Sequence, residues 1–246
     1  MHDRQFASRP SPTVRVFTDF DGTVTETDIG DALLRHFCGE TLFDDILHRW
    51  HDGAYTAVEA YRRLFAAIPR LTGPVLDEWL QAYSLDPSFS RFVEWCDHHG
   101  YPLMILSDGF DAYIQRMLQR AQLDVPFRAN RLILGTGAPR VEFPYTDQRC
   151  PQHANCKSNH MLLHAQDEDL IVYVGDGTSD YDAAMYADLV FARGVLEHWC
   201  QERNISFRRF YSFTTVRDVL SDLIDRRALR PGKRARVLRR QLWSTG

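Results

Sequence analysis

Apolar residues fall into two patterns along this chain. Short unbroken runs read as buried strands: Val14-Arg15-Val16-Phe17, Tyr101-Pro102-Leu103-Met104-Ile105-Leu106 and Leu170-Ile171-Val172-Tyr173-Val174. Elsewhere apolar side chains recur at three- and four-residue steps, as on one face of a helix. Ile29, Leu33, Leu34, Phe37, Leu42, Ile46, Leu47 and Trp50 form one such stretch, which Asp52-Gly53 interrupts. Val58, Tyr61, Leu64, Phe65 and Ile68 form a second. Pro69 and Gly73-Pro74 precede a short third through Leu76, Trp79, Leu80 and Tyr83. No strand candidate lies between Asp28 and Tyr83. Leu85-Asp86-Pro87 reads as a hinge, and strands and helices then alternate, ending in a helix over about 214–227. This order predicts an α/β fold, a mostly parallel sheet covered on both faces. The core is expected over 1–27 and 86–246, with a helical cap inserted over 28–85. Residues 1–13 and the stretch 228–246 are expected to be flexible.

Charge and hydroxyl groups gather where the strands end. The first delivers Asp19-Phe20-Asp21-Gly22-Thr23, the second Ser107-Asp108-Gly109 and the third Gly175-Asp176-Gly177-Thr178-Ser179-Asp180, with Lys157 between the last two. Open α/β sheets bind ligands at the carboxyl ends of their strands. Any one of these turns alone is ordinarily solvated; their joint occurrence points to phosphoryl chemistry. Asp19 would be the nucleophile. Asp21, two residues on, would protonate the leaving alcohol and then activate water. The Thr23 hydroxyl would steady Asp21 or the phosphate. Ser107, Asp108 and Gly109 would offer a hydroxyl and backbone N–H groups to phosphate oxygens, and Lys157 its charge. Asp176 and Asp180 would hold a metal. Two carboxylates ~4 Å apart repel by roughly 4 kcal/mol at an effective dielectric near 20, and one lysine is little compensation for four. An all-oxygen site beside phosphate suits Mg²⁺.

Composition narrows the classes. Apolar content of 44%, charged content of 25% and a net charge of −4 are those of an ordinary soluble domain and argue against a nucleic-acid or membrane-surface protein. The charge is uneven, because eight basic residues and no acid follow Asp225. That segment could meet an anionic partner, although a solvated tail is the plainer reading. No apolar run is long enough to span a membrane, and the first residues lack the apolar stretch of a signal peptide. Five scattered cysteines read as reduced thiols of a cytoplasmic protein. Cys150, His153, Cys156 and His160 also have spacings a structural zinc could use.

The Asp19-to-Thr25 stretch resembles the first motif of the haloacid-dehalogenase (HAD) phosphatases, and the other three family motifs follow in order. The resemblance covers the chain after residue 13 and implies a Rossmann-like HAD core and an aspartyl-phosphate intermediate. It also implies Mg²⁺ held by Asp19, the backbone carbonyl of Asp21, and Asp176. An all-helical insertion after the first motif resembles the cap of the phosphoserine-phosphatase-like group. Within it, Glu59 to Phe65, Cys156-Lys157 and Asp188 to Arg193 are similar to the branch acting on the methionine-salvage enediol phosphate. Cys150-Pro151 to Cys156-Lys157 resembles the phosphoethanolamine/phosphocholine phosphatases. Asp108 departs from the glycine usual in the second motif, so it adds charge beside the phosphate or points away. Leu64 stands about where phosphoserine phosphatases carry a carboxylate-binding arginine, leaving Arg62 or Arg63 as substitutes. Asp28, Glu59 and Arg63 are the expected substrate-facing cap residues, and Phe37, Trp50 and Trp79 the cap core. The expected substrate is a small phosphate ester. A phospho-accepting signalling module shares Asp, Mg²⁺, hydroxyl and Lys, but Asp21 and the long cap argue against it.

Overall fold

A computed structural model describes residues 13–245. In chain order the elements are β1 (Val14–Thr18), α1 (Ile29–Cys38), α2 (Glu40–His51), α3 (Ala57–Ala66), α4 (Gly73–Trp79), α5 (Phe89–His99), β2 (Leu103–Phe110) and α6 (Asp111–Arg120). Then come β3 (Phe127–Ile133), β4 (Arg140–Glu142), α7 (Lys157–His164), β5 (Leu170–Gly175), α8 (Tyr181–Tyr186), β6 (Leu189–Ala192), α9 (Gly194–Glu202), β7 (Phe207–Arg209), α10 (Phe213–Asp225) and α11 (Lys233–Thr245). The sheet has seven strands in the order β4-β3-β2-β1-β5-β6-β7. All neighbours are parallel except the antiparallel edge pair β3–β4. This is the expected mostly parallel α/β sheet.

The strand order decides where the site lies. β1 is central, pairing with β2 on one side (Thr18 opposite Ile105) and with β5 on the other (Thr18 opposite Val174). The chain leaves β1 between the ends of β2 and β5, so three polar turns far apart in sequence meet at one edge. β5 is buried throughout, as its unbroken apolar run requires. The ladder between β2 and β3 shifts register between Leu106 and Phe110, an irregularity that falls on Ser107-Asp108-Gly109 and re-aims those groups.

The helices between β1 and α5 enter and leave side by side. Thr25 and Leu85 form an antiparallel bridge, and Asp86 N–H donates to the Val24 carbonyl at 2.8 Å. Asp86 then accepts from the Ser88 backbone N–H at 2.7 Å, fastening the start of α5. Asp28 caps α1, and Thr56 and Glu59 form a capping box on α3. Phe65 of α3 packs edge-on to Phe110 at the end of β2, with ring centroids 4.7 Å apart. One continuous apolar cluster therefore joins these helices to the sheet.

Two regions depart from expectation. The basic C-terminal stretch is not a loose tail: α11 packs on α8, and the Arg239 guanidinium is fully buried against Asp188 (3.1 Å) and the Tyr186 carbonyl (2.7 Å). Its apolar positions are few, so periodicity gave no warning; a buried ion pair anchors it instead. Helix α9 and the short edge strand β7 were not foreseen, because Val195, Leu196 and Trp199 lie among polar residues and β7 is only three residues long. The rest of the expected lead-in, residues 1–12, lies outside the described residues. Among the described residues no helix is long and apolar enough to cross a membrane. All five cysteines are free thiols.

Candidate active site

Asp19 sits at the end of β1, where its backbone N–H donates to the Val174 carbonyl of β5 at 2.9 Å. Its carboxylate is buried and receives the Lys157 ammonium at 2.5 Å. Lys157 is the first residue of α7, and it also donates to Asp180 at 2.6 Å and to Ser179 at 2.8 Å. Burial opposes the charge on Lys157, but Asp180 and Asp19 hold it protonated, well above the ordinary lysine range. Burial also pushes the Asp19 carboxyl upward against the pull of Lys157, with Asp180, Asp176 and Asp21 adding repulsion.

Asp21 faces the same space from the turn beyond β1. One of its oxygens accepts the N–H groups of Ile29 (3.1 Å) and Gly30 (3.2 Å) at the N-terminus of α1. The other accepts the hydroxyls of Ser107 (3.0 Å) and Tyr113 (2.7 Å). Burial, then the nearby Asp28 charge, raise the carboxyl to about 7, and the hydroxyl donors oppose the rise. A carboxyl titrating near neutrality is suited to giving and taking a proton in one cycle. Tyr113, on α6, was missed in the sequence because it reads as one apolar position of a helical face. The glycine at 109 makes room for it: a Cβ there would overlap the Tyr113 hydroxyl and lie 2.5 Å from an Asp21 oxygen.

Asp176 follows the end of β5 and accepts the Thr23 hydroxyl at 2.7 Å. Burial and Asp180 raise its carboxyl to about 6. Carboxylate oxygens of Asp19, Asp176 and Asp180 all lie within 4.8 Å of one another, a hard donor set that fits a small divalent cation. The repulsion that raises Asp19 and Asp176 is what such a cation would relieve. Gly22, at φ +74°, brings the first turn so close that a Cβ would lie 2.5 Å from an Asp176 oxygen. Arg193, after β6, fastens that turn by donating to the carbonyls of Gly22, Thr23 and Thr25.

The geometry gives four of the expected residues partners that the sequence did not show. The Thr23 hydroxyl donates to Asp176 and not to Asp21. Asp180, besides its place in the donor set with Asp19 and Asp176, accepts from Lys157, the Tyr173 hydroxyl and the N–H groups of Asp176 and Gly177, so it also orients the lysine and the turn. Asp108 turns towards the loop before α7, accepting the N–H groups of Ala154 (2.9 Å) and Asn155 (2.7 Å). Asn155, also unforeseen, ties that loop back by donating to the Ser107 carbonyl at 2.8 Å. Of the proposed zinc ligands, His160 departs: its ring meets the Asn155 side-chain oxygen at 2.8 Å.

A pocket of about 910 Å³ opens over these groups. Asp28 lines it, together with Asp31, Leu47, Trp50, His51 and Tyr61 from the helices above. Glu59 and Arg63 do not. Glu59 is spent on the α3 capping box, and Arg63 lies over the Tyr55 ring at 4.4 Å. Arg62 lies over Phe143, so neither arginine replaces the missing carboxylate-binding one in the pocket. Trp50, expected in the cap core, contributes to the pocket wall.

Sheet order gathers the polar turns and the buried lysine at the carboxyl edge of an α/β sheet, an arrangement suited to phosphoryl chemistry. Residues 16–185 match the model of the haloacid dehalogenase-like hydrolases, and the chain belongs to that family; its enzyme class is phosphatase. It is 29% identical over 211 residues to the 2-hydroxy-3-keto-5-methylthiopentenyl-1-phosphate phosphatase of Exiguobacterium sibiricum, covering 85% of this chain and 96% of the relative. The like-named protein of Bacillus cereus is 26% identical over 216 residues, 87% of this chain and 98% of that one. Among solved structures, a phospho-aspartyl intermediate analogue of phosphoserine phosphatase shares the fold with a TM-score of 0.64 at 17% identity, covering 86% of this chain and 99% of that one.

Proposed function

We infer that this chain hydrolyses a small-metabolite phosphate monoester in two steps through Asp19. The observation carrying this reading is the pairing of Asp19, held by Lys157 at 2.5 Å, with an Asp21 carboxyl poised at about 7. The Asp19 carboxylate attacks phosphorus in line, while protonated Asp21 gives its proton to the leaving alkoxide. Asp21, now a carboxylate, takes a proton from the water that cleaves the aspartyl-phosphate, returning Asp19. Lys157 offsets charge on the transferring group and favours the ionised form of Asp19 against the burial that raises it. Asp19, Asp176 and the Asp21 backbone carbonyl would hold Mg²⁺, which when bound neutralises charge on the phosphoryl oxygens. Residues 28–85 act as a cap, hinged at the Thr25–Leu85 bridge, that shields the site from water.

The substrate this reading favours is 2-hydroxy-3-keto-5-methylthiopentenyl 1-phosphate, the compound in its relatives' names. Leu47, Trp50 and Tyr61 offer an apolar wall for a methylthio tail. Phosphoserine fits less well, since the pocket's acidic residues oppose its carboxylate and the lining residue Arg149 is bound to Asp147. One observation favours a second reading: Trp50 and Tyr61, with ring centroids 5.5 Å apart, stand near Asp28 and Asp31, which suits the cationic head of phosphocholine or phosphoethanolamine. The test is phosphate release with Mg²⁺ from the enediol phosphate, phosphocholine, phosphoethanolamine and phosphoserine, for wild type and Asp19→Asn. Turnover that vanishes in the variant supports the chemistry, and the highest kcat/KM names the substrate. Turnover surviving in Asp19→Asn would overturn the mechanism.

A further inference from the structure

We propose that Cys150, His153 and Asp182 form a zinc-type metal site at the pocket rim, separate from the oxygen cluster around Asp19. Ligand atoms of the three residues all lie within 4.8 Å of one another. They come from two segments: Cys150 and His153 from the loop before α7, Asp182 from α8. The Cys150 thiol already points at Asp182, with sulfur 3.5 Å from a carboxylate oxygen. Asp182 meets no cation and no main-chain N–H among the described residues. The His153 ring's nearest charged neighbour is Asp108, at 4.0 Å. Three half-buried donors therefore converge at the pocket rim, with the Cys150 thiol touching both Asp182 and the Cys156 thiol.

The donor chemistry selects the ion. One sulfur, one imidazole nitrogen and one carboxylate oxygen form a borderline-soft set that suits Zn²⁺ and disfavours Mg²⁺. Metal–ligand lengths of ~2.0–2.3 Å place tetrahedral donors roughly 3.3–3.8 Å apart. Closing from the separations seen takes small side-chain shifts. Three protein ligands leave a fourth position, and all three residues line the pocket. This set differs from a reading by spacing alone, because Asp182 is distant in sequence and His160 is engaged elsewhere.

The placement has a mechanical consequence. The same loop touches the cap, where the Ala57 N–H donates to the Pro151 carbonyl at 3.1 Å, and holds Asp108 through Ala154 and Asn155. A metal joining Cys150 and His153 to α8 pins this wall of the pocket to the core.

The experiment is a Co²⁺ titration of the full chain saturated with Mg²⁺, read by the thiolate-to-cobalt charge-transfer band. Carboxylates alone cannot produce that band, so the oxygen cluster is silent. We expect one equivalent, displaced by Zn²⁺, with the band lost in Cys150→Ser. Binding should weaken by at least about tenfold in His153→Ala and in Asp182→Asn, and persist in Asp19→Asn and Cys156→Ser. Metal-free melting curves identify any variant that fails to fold, and Asp182→Asn, which keeps side-chain size, then carries the test. Absence of a band, or one that survives Cys150→Ser or disappears in Cys156→Ser, overturns the site. None of these readouts depends on phosphatase activity.

Discussion

Tyr113→Phe isolates the control of the proposed acid–base residue. It removes one oxygen and keeps the ring, which packs near Phe20 with centroids 6.1 Å apart. The lost donor makes the shortest of four hydrogen bonds to the Asp21 carboxyl, 2.7 Å against 3.0, 3.1 and 3.2 Å. A hydrogen bond to a charged group contributes about 1.5–3 kcal/mol. At 1.36 kcal/mol per pKa unit, losing it raises Asp21 by about 1–2 units. The carboxyl starts at about 7, so the upward shift leaves it mostly protonated at neutral pH. Proton donation to the leaving group survives, whereas the deprotonated fraction needed to activate water at pH 7 falls roughly 5- to 50-fold. The assay is kcat against pH with saturating Mg²⁺, combined with rapid-quench measurement of phospho-enzyme. The acid limb should move to higher pH by about 1–2 units, phospho-enzyme should accumulate, and raising the pH should restore turnover. In an Asp21→Asn background the substitution should add nothing. A uniform loss with an unmoved profile, or a shift to lower pH, would refute the reasoning.

Gly109→Ala should lower kcat on the order of 10²-fold, because the new Cβ displaces Tyr113 or Asp21 from the reacting geometry, and should cost about 1–3 kcal/mol of stability through the overlap with the buried Tyr113; steady-state kinetics and calorimetry check the two halves. Without metal, Asp21 and Asp176, raised to about 7 and about 6, bind protons in the folded state that the unfolded chain has released, so stability should fall as pH rises from about 4 to 7. Mg²⁺ requires the Asp19 and Asp176 carboxylates unprotonated, and burial raises both, so melting curves should show its stabilisation growing with pH; a larger effect at pH 5 than at pH 7.5 would be the wrong sign. Arg239→Ala leaves Asp188 buried without its cation and should cost about 3–5 kcal/mol in denaturant unfolding, whereas a loosely attached tail would show no change.

Much of the core was legible because burial on both faces demands unbroken apolar runs, and β1, β2 and β5 each satisfy that demand. The charged turns that close those runs were equally legible, since Asp19, Asp21, Ser107 and Asp176 each interrupt apolar sequence where a strand must end, and Lys157 opens the helix between the last two. What spacing could not tell was how the carboxylates divide the work. Asp180 and Asp108 look in sequence like site acids of one kind, yet the first also orients Lys157 and its turn through Tyr173 and two backbone N–H groups, and the second lines the pocket while holding the loop before α7. The cap was read as helical from its three- and four-residue steps, but those steps do not say which face looks down. Helix packing turned Trp50 and Tyr61 into the pocket and left Glu59 and Arg63 outside it. Tyr113, Asn155 and Asp182 were hidden because their neighbours lie far away in sequence. Periodicity reports which side of an element is buried; only the register of β1 between β2 and β5 brings those side chains within hydrogen-bonding reach. Local pattern thus determined the elements and the chemistry at their ends. Tertiary contact decided which carboxylate is satisfied, and therefore which remain to act.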